Sequence, residues 1–193
     1  MKKAMRMWVF GVLGLASLGV LVSAGCKSAP ELSSADAQKL IQAKYDADPA
    51  VPATIRVDDN GMRQGVTAKY WDRSKAFPIK WWADFKLSDA GKKAIKLANG
   101  GDTIEWRPDS AEDKNFAVTV QSVATGHPKA TGVKDPQAEG DTTKTVEFNE
   151  TQNLEGLPAP LADMAHNPGN KLSTHRTATF TLDSGAWKLQ SIS

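Results

Sequence analysis

The chain has 193 residues, 40% hydrophobic and 24% charged, enough apolar material for one packed domain and too much for a disordered segment. Its formal charge is only +2, and no Lys/Arg run interleaved with aromatics occurs, so there is no electrostatic footprint for a nucleic acid. The single cysteine, Cys26, denies the rest of the chain a disulfide, a thiolate metal centre and a cysteine nucleophile.

The first elements are a leader. Met1 to Arg6 is short and basic, and Met7 to Gly25 then runs without a charge. Gly11, Gly14 and Gly19 weaken that run as a membrane-spanning helix. Ser23, Ala24 and Gly25 are small enough for a peptidase to approach the backbone, and the composition turns polar after Cys26. Val22-Ser23-Ala24-Gly25-Cys26 resembles the lipobox of bacterial lipoproteins, with Ser23 where an aliphatic residue is usual. The resemblance covers the first 26 residues. It implies cleavage before Cys26, diacylglycerol on the thiol and a further acyl chain on the freed amine. Two or more chains make a lasting membrane anchor. By the same resemblance, Lys27 after the cysteine implies the outer membrane, facing the periplasm, in a Gram-negative cell envelope. The expected organisation is a signal peptide over 1–25, a lipidated cysteine and tether over 26–34, and one domain over 35–193. Without Lys2, Lys3 and Arg6 the 24 basic residues fall to 21 against 22 acidic ones, a formal −1.

Within the domain, Ser33 or Ser34 is placed to cap a helix, with Asp36 at its positive start. Ala37, Leu40, Ile41 and Tyr45 recur at helical spacing, and Pro49 ends the pattern. Thr54–Val57 reads as a short strand, whereas 61–71 fits helix and strand equally. Trp81, Ala83, Phe85 and Leu87 alternate with Trp82, Asp84, Lys86 and Ser88, a strand with one apolar side. A helical turn over 88–97, an Asn99-Gly100-Gly101-Asp102 turn and a strand through Ile104 and Trp106 to Pro108 follow. Phe116–Ala124 is a Val/Thr-rich strand, 126–143 an exposed loop, and 144–154 a strand with Val146 and Phe148 inward. Pro158–Ala165 is a short helix. The tail is a hairpin: Ala178, Phe180 and Leu182 rise to Asp183-Ser184-Gly185, and Trp187 and Leu189 return.

These elements sum to an α+β fold, an N-terminal helix packed on a curved antiparallel sheet of about five or six strands. A helix followed by a meander ending in the "GAWKLQSI" strand resembles cystatin-like and nuclear-transport-factor-like folds. That likeness implies a scaffold and no particular activity.

The candidate binding residues are Trp82 first, then Trp81, Trp71, Asp84 and Glu105. On one strand, adjacent Trp81 and Trp82 point to opposite faces, so both cannot enter one core and one is left for a helix, a loop or a ligand; indole suits sugar rings or partner surfaces. Asp84 and Glu105 lie opposite Phe85 and Trp106, where a curled sheet brings polar groups together. His127, His166 and His175 have no metal-site spacing. No serine elbow or phosphate-cradling loop is present, and nothing calls for a metal or cofactor. The sequence therefore reads as a non-catalytic lipoprotein, bound to a membrane through Cys26, whose domain is a structural module or binds an envelope protein or glycan. The competing reading is a small-molecule carrier or enzyme using the hollow of a cone-like sheet, which requires a concave pocket lined by aromatics.

Overall fold

The computed structural model describes residues 30–193, so Cys26 and the leader lie outside the described residues. In chain order these form α1 (Ser34–Ala47), β1 (Val51–Val57), α2 (Asp59–Thr67), β2 (Trp71–Ala76), β3 (Ala83–Leu87), α3 (Asp89–Ala94), β4 (Ile95–Leu97), β5 (Thr103–Trp106), β6 (Val118–Gly126), β7 (Lys129–Thr131), β8 (Gln137–Ala138), β9 (Thr143–Thr151), α4 (Ala159–Ala165), β10 (Ser173–Asp183) and β11 (Ala186–Ile192). The class is α+β in a single domain, but the strands divide among three antiparallel sheets instead of one.

The first core lies under α1. Ser33 caps the helix by accepting from the Asp36 N–H at 3.1 Å. Its hydroxyl donates to the Asp36 carboxylate at 2.6 Å, which holds that carboxyl below its ordinary pKa. Ala37, Ile41 and Tyr45 form the buried stripe, facing Val146 and Phe148 of β9 and Ala178 and Phe180 of β10. The five-stranded sheet runs β11-β10-β9-β7 with β8 also on β9, and curls as a half-barrel around the helix. At the β10–β11 turn the backbone enters the left-handed region at Ser184 (φ 52°) and Gly185 (φ 83°), the geometry that a tight hairpin of right-twisted strands demands.

The tether is shorter than the sequence suggested. Leu32 is 3% exposed in this core, and the Trp187 indole N–H donates to the Pro30 carbonyl at 2.7 Å. The stretch expected to be a loop over 126–143 carries β7 and β8. Both are too short to show a period of two, and β9 recruits them as partners.

The second core is built by the three-stranded sheets β1-β6-β4 and β2-β3-β5 with the remaining helices. Ile55, Val57, Trp71, Ile95, Val120, Leu161 and Met164 are all within 1% of full burial there. The ambiguous segment 61–71 resolves into both readings in turn: α2 stops at Thr67, and Trp71 opens β2. The Trp71 indole N–H donates to the Met62 carbonyl at 2.9 Å. Its ring lies on Gly65, where a Cβ atom would stand 1.9 Å from it, so the close approach requires glycine.

Side-chain amides join the two halves. The Asn170 amide imitates a strand neighbour for Arg56 on β1, its Oδ1 accepting from the Arg56 N–H at 2.6 Å and its Nδ2 donating to the Arg56 carbonyl at 3.0 Å. Gln152 accepts from the Thr54 N–H at 2.8 Å. The outer edge of β1 is thereby satisfied by residues that flank β9 and β10, which protects it from pairing with another chain.

Candidate docking site on the β2–β3 hairpin

The pairing of β3 with β2 and β5 sets the site. Asp84 stands opposite Lys75 on one side and Glu105 on the other. Ala83, Leu87, Ile104 and Trp106 face the core, so the outward row is charged. The Asp84 carboxylate is bonded to the Arg107 guanidinium, with side chains 16% and 24% exposed, respectively. Arg107 also donates to the carbonyls of Ala83 at 2.6 Å and Trp106 at 2.9 Å. Its planar fork thus has acceptors on several sides while its face meets two rings. The guanidinium carbon lies 4.2 Å from the Phe77 ring centre and 5.5 Å from that of Trp82. Phe77 and Trp82 meet edge-on at 6.4 Å and 74°, and the Trp82 indole N–H donates to the Pro108 carbonyl at 3.1 Å.

This cluster clamps the two ends of the segment 77–82, and what it holds out is apolar. Ile79 is 36% exposed and Trp81 40% exposed, between Pro78 and Lys80, which are also exposed. Lys75 places its ammonium 4.7 Å over the Phe77 ring, and Arg73 is exposed on the same edge strand. Adjacent Trp81 and Trp82 do part company, but in the turn before β3 and not on the strand itself.

Four of the five residues singled out from the sequence separate into three roles. Trp71 is fully buried core, because it is the indole that fills the space over Gly65. Trp82, Asp84 and Arg107 form the internal clamp, and Trp81 is the indole left facing outward. Asp84 and Glu105 are brought side by side by register, with the Asp84 carboxylate bonded to Arg107. Ile79, Phe77, Lys75, Lys80 and Arg107 were not anticipated. The usable signal was Phe77-Pro78-Ile79 before the double tryptophan, an apolar run that a proline marks as a turn.

Apolar side chains fill the curled sheet beneath α1. Val146, Phe148, Ala178 and Phe180, each at most 1% exposed, fill the concave face under α1. A cleft of about 560 Å3 opens between α1 and β11, along Leu40, Tyr45, Leu189 and Ile192. Another of about 430 Å3 runs past Thr54, Gln121, Glu150, Gln152, Asn153 and Thr174, with no aromatic in its wall. Glu150 accepts from the Tyr45 hydroxyl at 2.8 Å and from Arg176 at 3.3 Å, and burial followed by that hydrogen bond pushes the Tyr45 phenol above its ordinary pKa. The histidines are dispersed: His175 lies 3.9 Å from Glu147 on an exposed face, and His166 ends α4.

With this geometry in hand, the class is a single α+β domain of two cores with a clamped aromatic hairpin. No family model, curated protein or solved structure matches the chain.

Proposed function

We propose that the protein is a lipid-anchored lipoprotein of the bacterial envelope, held through Cys26 on the periplasmic face of the outer membrane, whose domain is a non-catalytic docking module. The observation that carries the docking reading is the β2–β3 hairpin. An internal clamp of Phe77, Trp82, Arg107 and Asp84 fixes the turn, and Ile79 and Trp81 are left in solvent. Large apolar side chains held in water by a rigid support mark a contact surface. Rigidity also lowers the entropy lost when a partner is met. Among the described residues no helix is long and apolar enough to cross a membrane, and the lipobox-like segment supplies the attachment in this reading.

The tether supports it too. Residues 27–29 alone separate Cys26 from Pro30, which is already docked on Trp187. Four residue steps reach at most about 14 Å, so the anchor holds the domain close against its membrane.

Two experiments test the reading. Cys26→Ser is expected to abolish incorporation of a labelled fatty acid and to leave unprocessed precursor. Normal maturation of that variant removes the anchor from the proposal. A photo-crosslinking amino acid at Trp81 is expected to give discrete adducts in intact cells, whereas the same probe at Lys39, an exposed position on α1, is expected to give none. Equal labelling from both positions, or from neither, defeats the docking role.

A further inference from the structure

We propose that the β2–β3 hairpin is a membrane foot: its tip seats Ile79 and Trp81 in the headgroup region of a bilayer containing anionic lipid, as a second contact beside the acyl chains on Cys26. The inference rests on the docking reading above and names the partner of that same surface.

Charge is the first argument. From Arg73 to Ala83 the chain carries Arg73, Lys75 and Lys80 and no carboxylate, although the region after the leader is close to neutral overall. The carboxylates on the two strands of the hairpin are matched by cations. Asp84 is bonded to Arg107, and Asp72 lies opposite Lys86 in the register. Glu105 on β5 is exposed beside Asp84, and Asp109 follows the Pro108 that receives Trp82. The turn and the end of the strand leading into it therefore carry positive charge alone, which suits an anionic leaflet.

Shape and chemistry give the second argument. A sugar ring stacked on Trp81 needs hydrogen-bonding acceptors beside the indole to read its hydroxyls. The immediate neighbours are Pro78, Ile79 and Lys80, which offer apolar area and one ammonium. An acidic protein surface matches the charge, but a stable protein contact usually covers about 800 Å2 on each side, far more than a four-residue turn presents. A bilayer interface accepts a small apolar tip with an indole at the headgroup level and lysines around it. It also tolerates weak intrinsic binding, because a domain tethered within about 14 Å of the leaflet is present at a high effective concentration.

Placement completes the case. Pro30 enters on the five-stranded sheet at Trp187, whereas the hairpin belongs to the second core. Lipid at Cys26 and a foot on the hairpin therefore engage different cores of the domain.

The test uses the full protein purified from membranes and reconstituted into vesicles of phosphatidylcholine with or without one quarter phosphatidylglycerol, both containing lipids brominated on the acyl chain. Bromine quenches only indoles that reach the bilayer. Tryptophan fluorescence is expected to be quenched in the anionic vesicles, and Trp81→Phe is expected to remove more than half of that quenching. Lys75→Glu with Lys80→Glu should lower the docked population by on the order of tenfold. An Ile79→Ser variant, at a position exposed in the fold, should weaken quenching while its circular dichroism stays unchanged. Equal quenching of the parent and Trp81→Phe, or no quenching in either vesicle, overturns the membrane foot. In that event protein or glycan adducts from the Trp81 crosslinker leave the docking reading standing, so the two failures are distinguishable. The readout follows the hairpin whether or not Cys26 carries lipid.

Discussion

Three tryptophans close together in the chain have three different environments, and the difference follows from what each ring can bury. Trp71 has no exposed surface, satisfies its N–H on Met62 and rests on Gly65. Trp82 is half-buried in a clamp with Phe77 and Arg107 and satisfies its N–H on Pro108. Trp81 has no place in either and stands in the turn. Truncation should separate them. Trp71→Ala is expected to cost about 3–5 kcal/mol of stability by the cavity it leaves, and Gly65→Ala to destabilise by about 1–3 kcal/mol through overpacking against that ring. Trp81→Ser is expected to stay within about 0.5 kcal/mol of the parent. Urea unfolding of the variants checks all three, and a large loss for Trp81→Ser contradicts its exposure.

At the level of elements, α1 and the edge of β1 carry the argument. The sequence placed α1 well, because its cap, its stripe and its stop are all local: Ser33, the Ala37-Ile41-Tyr45 spacing and Pro49 lie within a few residues of what they control. Ser33→Ala is expected to cost about 1 kcal/mol through the lost cap, seen as a lower urea midpoint with an unchanged slope. The β1 edge is the opposite case. Its partner Asn170 is 114 residues from Arg56, and no spacing announces it. Asn170→Ala leaves a backbone N–H and a carbonyl of β1 without partners and is expected to cost about 2–4 kcal/mol, since each such buried group costs about 1–3 kcal/mol. Amide exchange at Arg56 should accelerate in the same variant. Protection as strong as in the parent excludes the edge-sealing role.

The molecule as a whole is a near-neutral domain whose charges are mostly paired at the surface. Lys92, Lys134, Lys129 and Lys188 hold Asp102, Glu147, Glu155 and Asp183, respectively, below their ordinary pKa values, in each case first through a hydrogen bond to the carboxylate. A depressed folded pKa contributes stability that is present above the ordinary carboxylate range and is lost as pH falls through the folded value. The urea midpoint is therefore expected to be level near neutral pH and to drop below about pH 4. Because all four groups are exposed, 1 M salt should flatten the drop. A midpoint indifferent to acid contradicts these pairings. Tyr45 acts at the other end: its raised phenol pKa favours the folded state below the ordinary phenol range, and that contribution is lost as pH rises further.

Local patterns in the chain determined the class of fold, the helix at Ser34–Ala47, the tail hairpin and the segment that resembles a lipobox, since periodicity, caps, turns and small-residue runs act over a few neighbours. The division into three sheets, the capture of β7 and β8 by β9, the burial of Trp71 and the exposure of Trp81 were decided by tertiary structure. Those outcomes depend on which surfaces compete for the same buried space, and that competition runs between residues far apart in the chain. The candidate site shows the same split. Trp81, Trp82 and Asp84 stand out by residue type, but only the pairing of β3 with β2 and β5 brings Arg107 under Phe77, turns Trp82 inward and leaves its neighbour exposed.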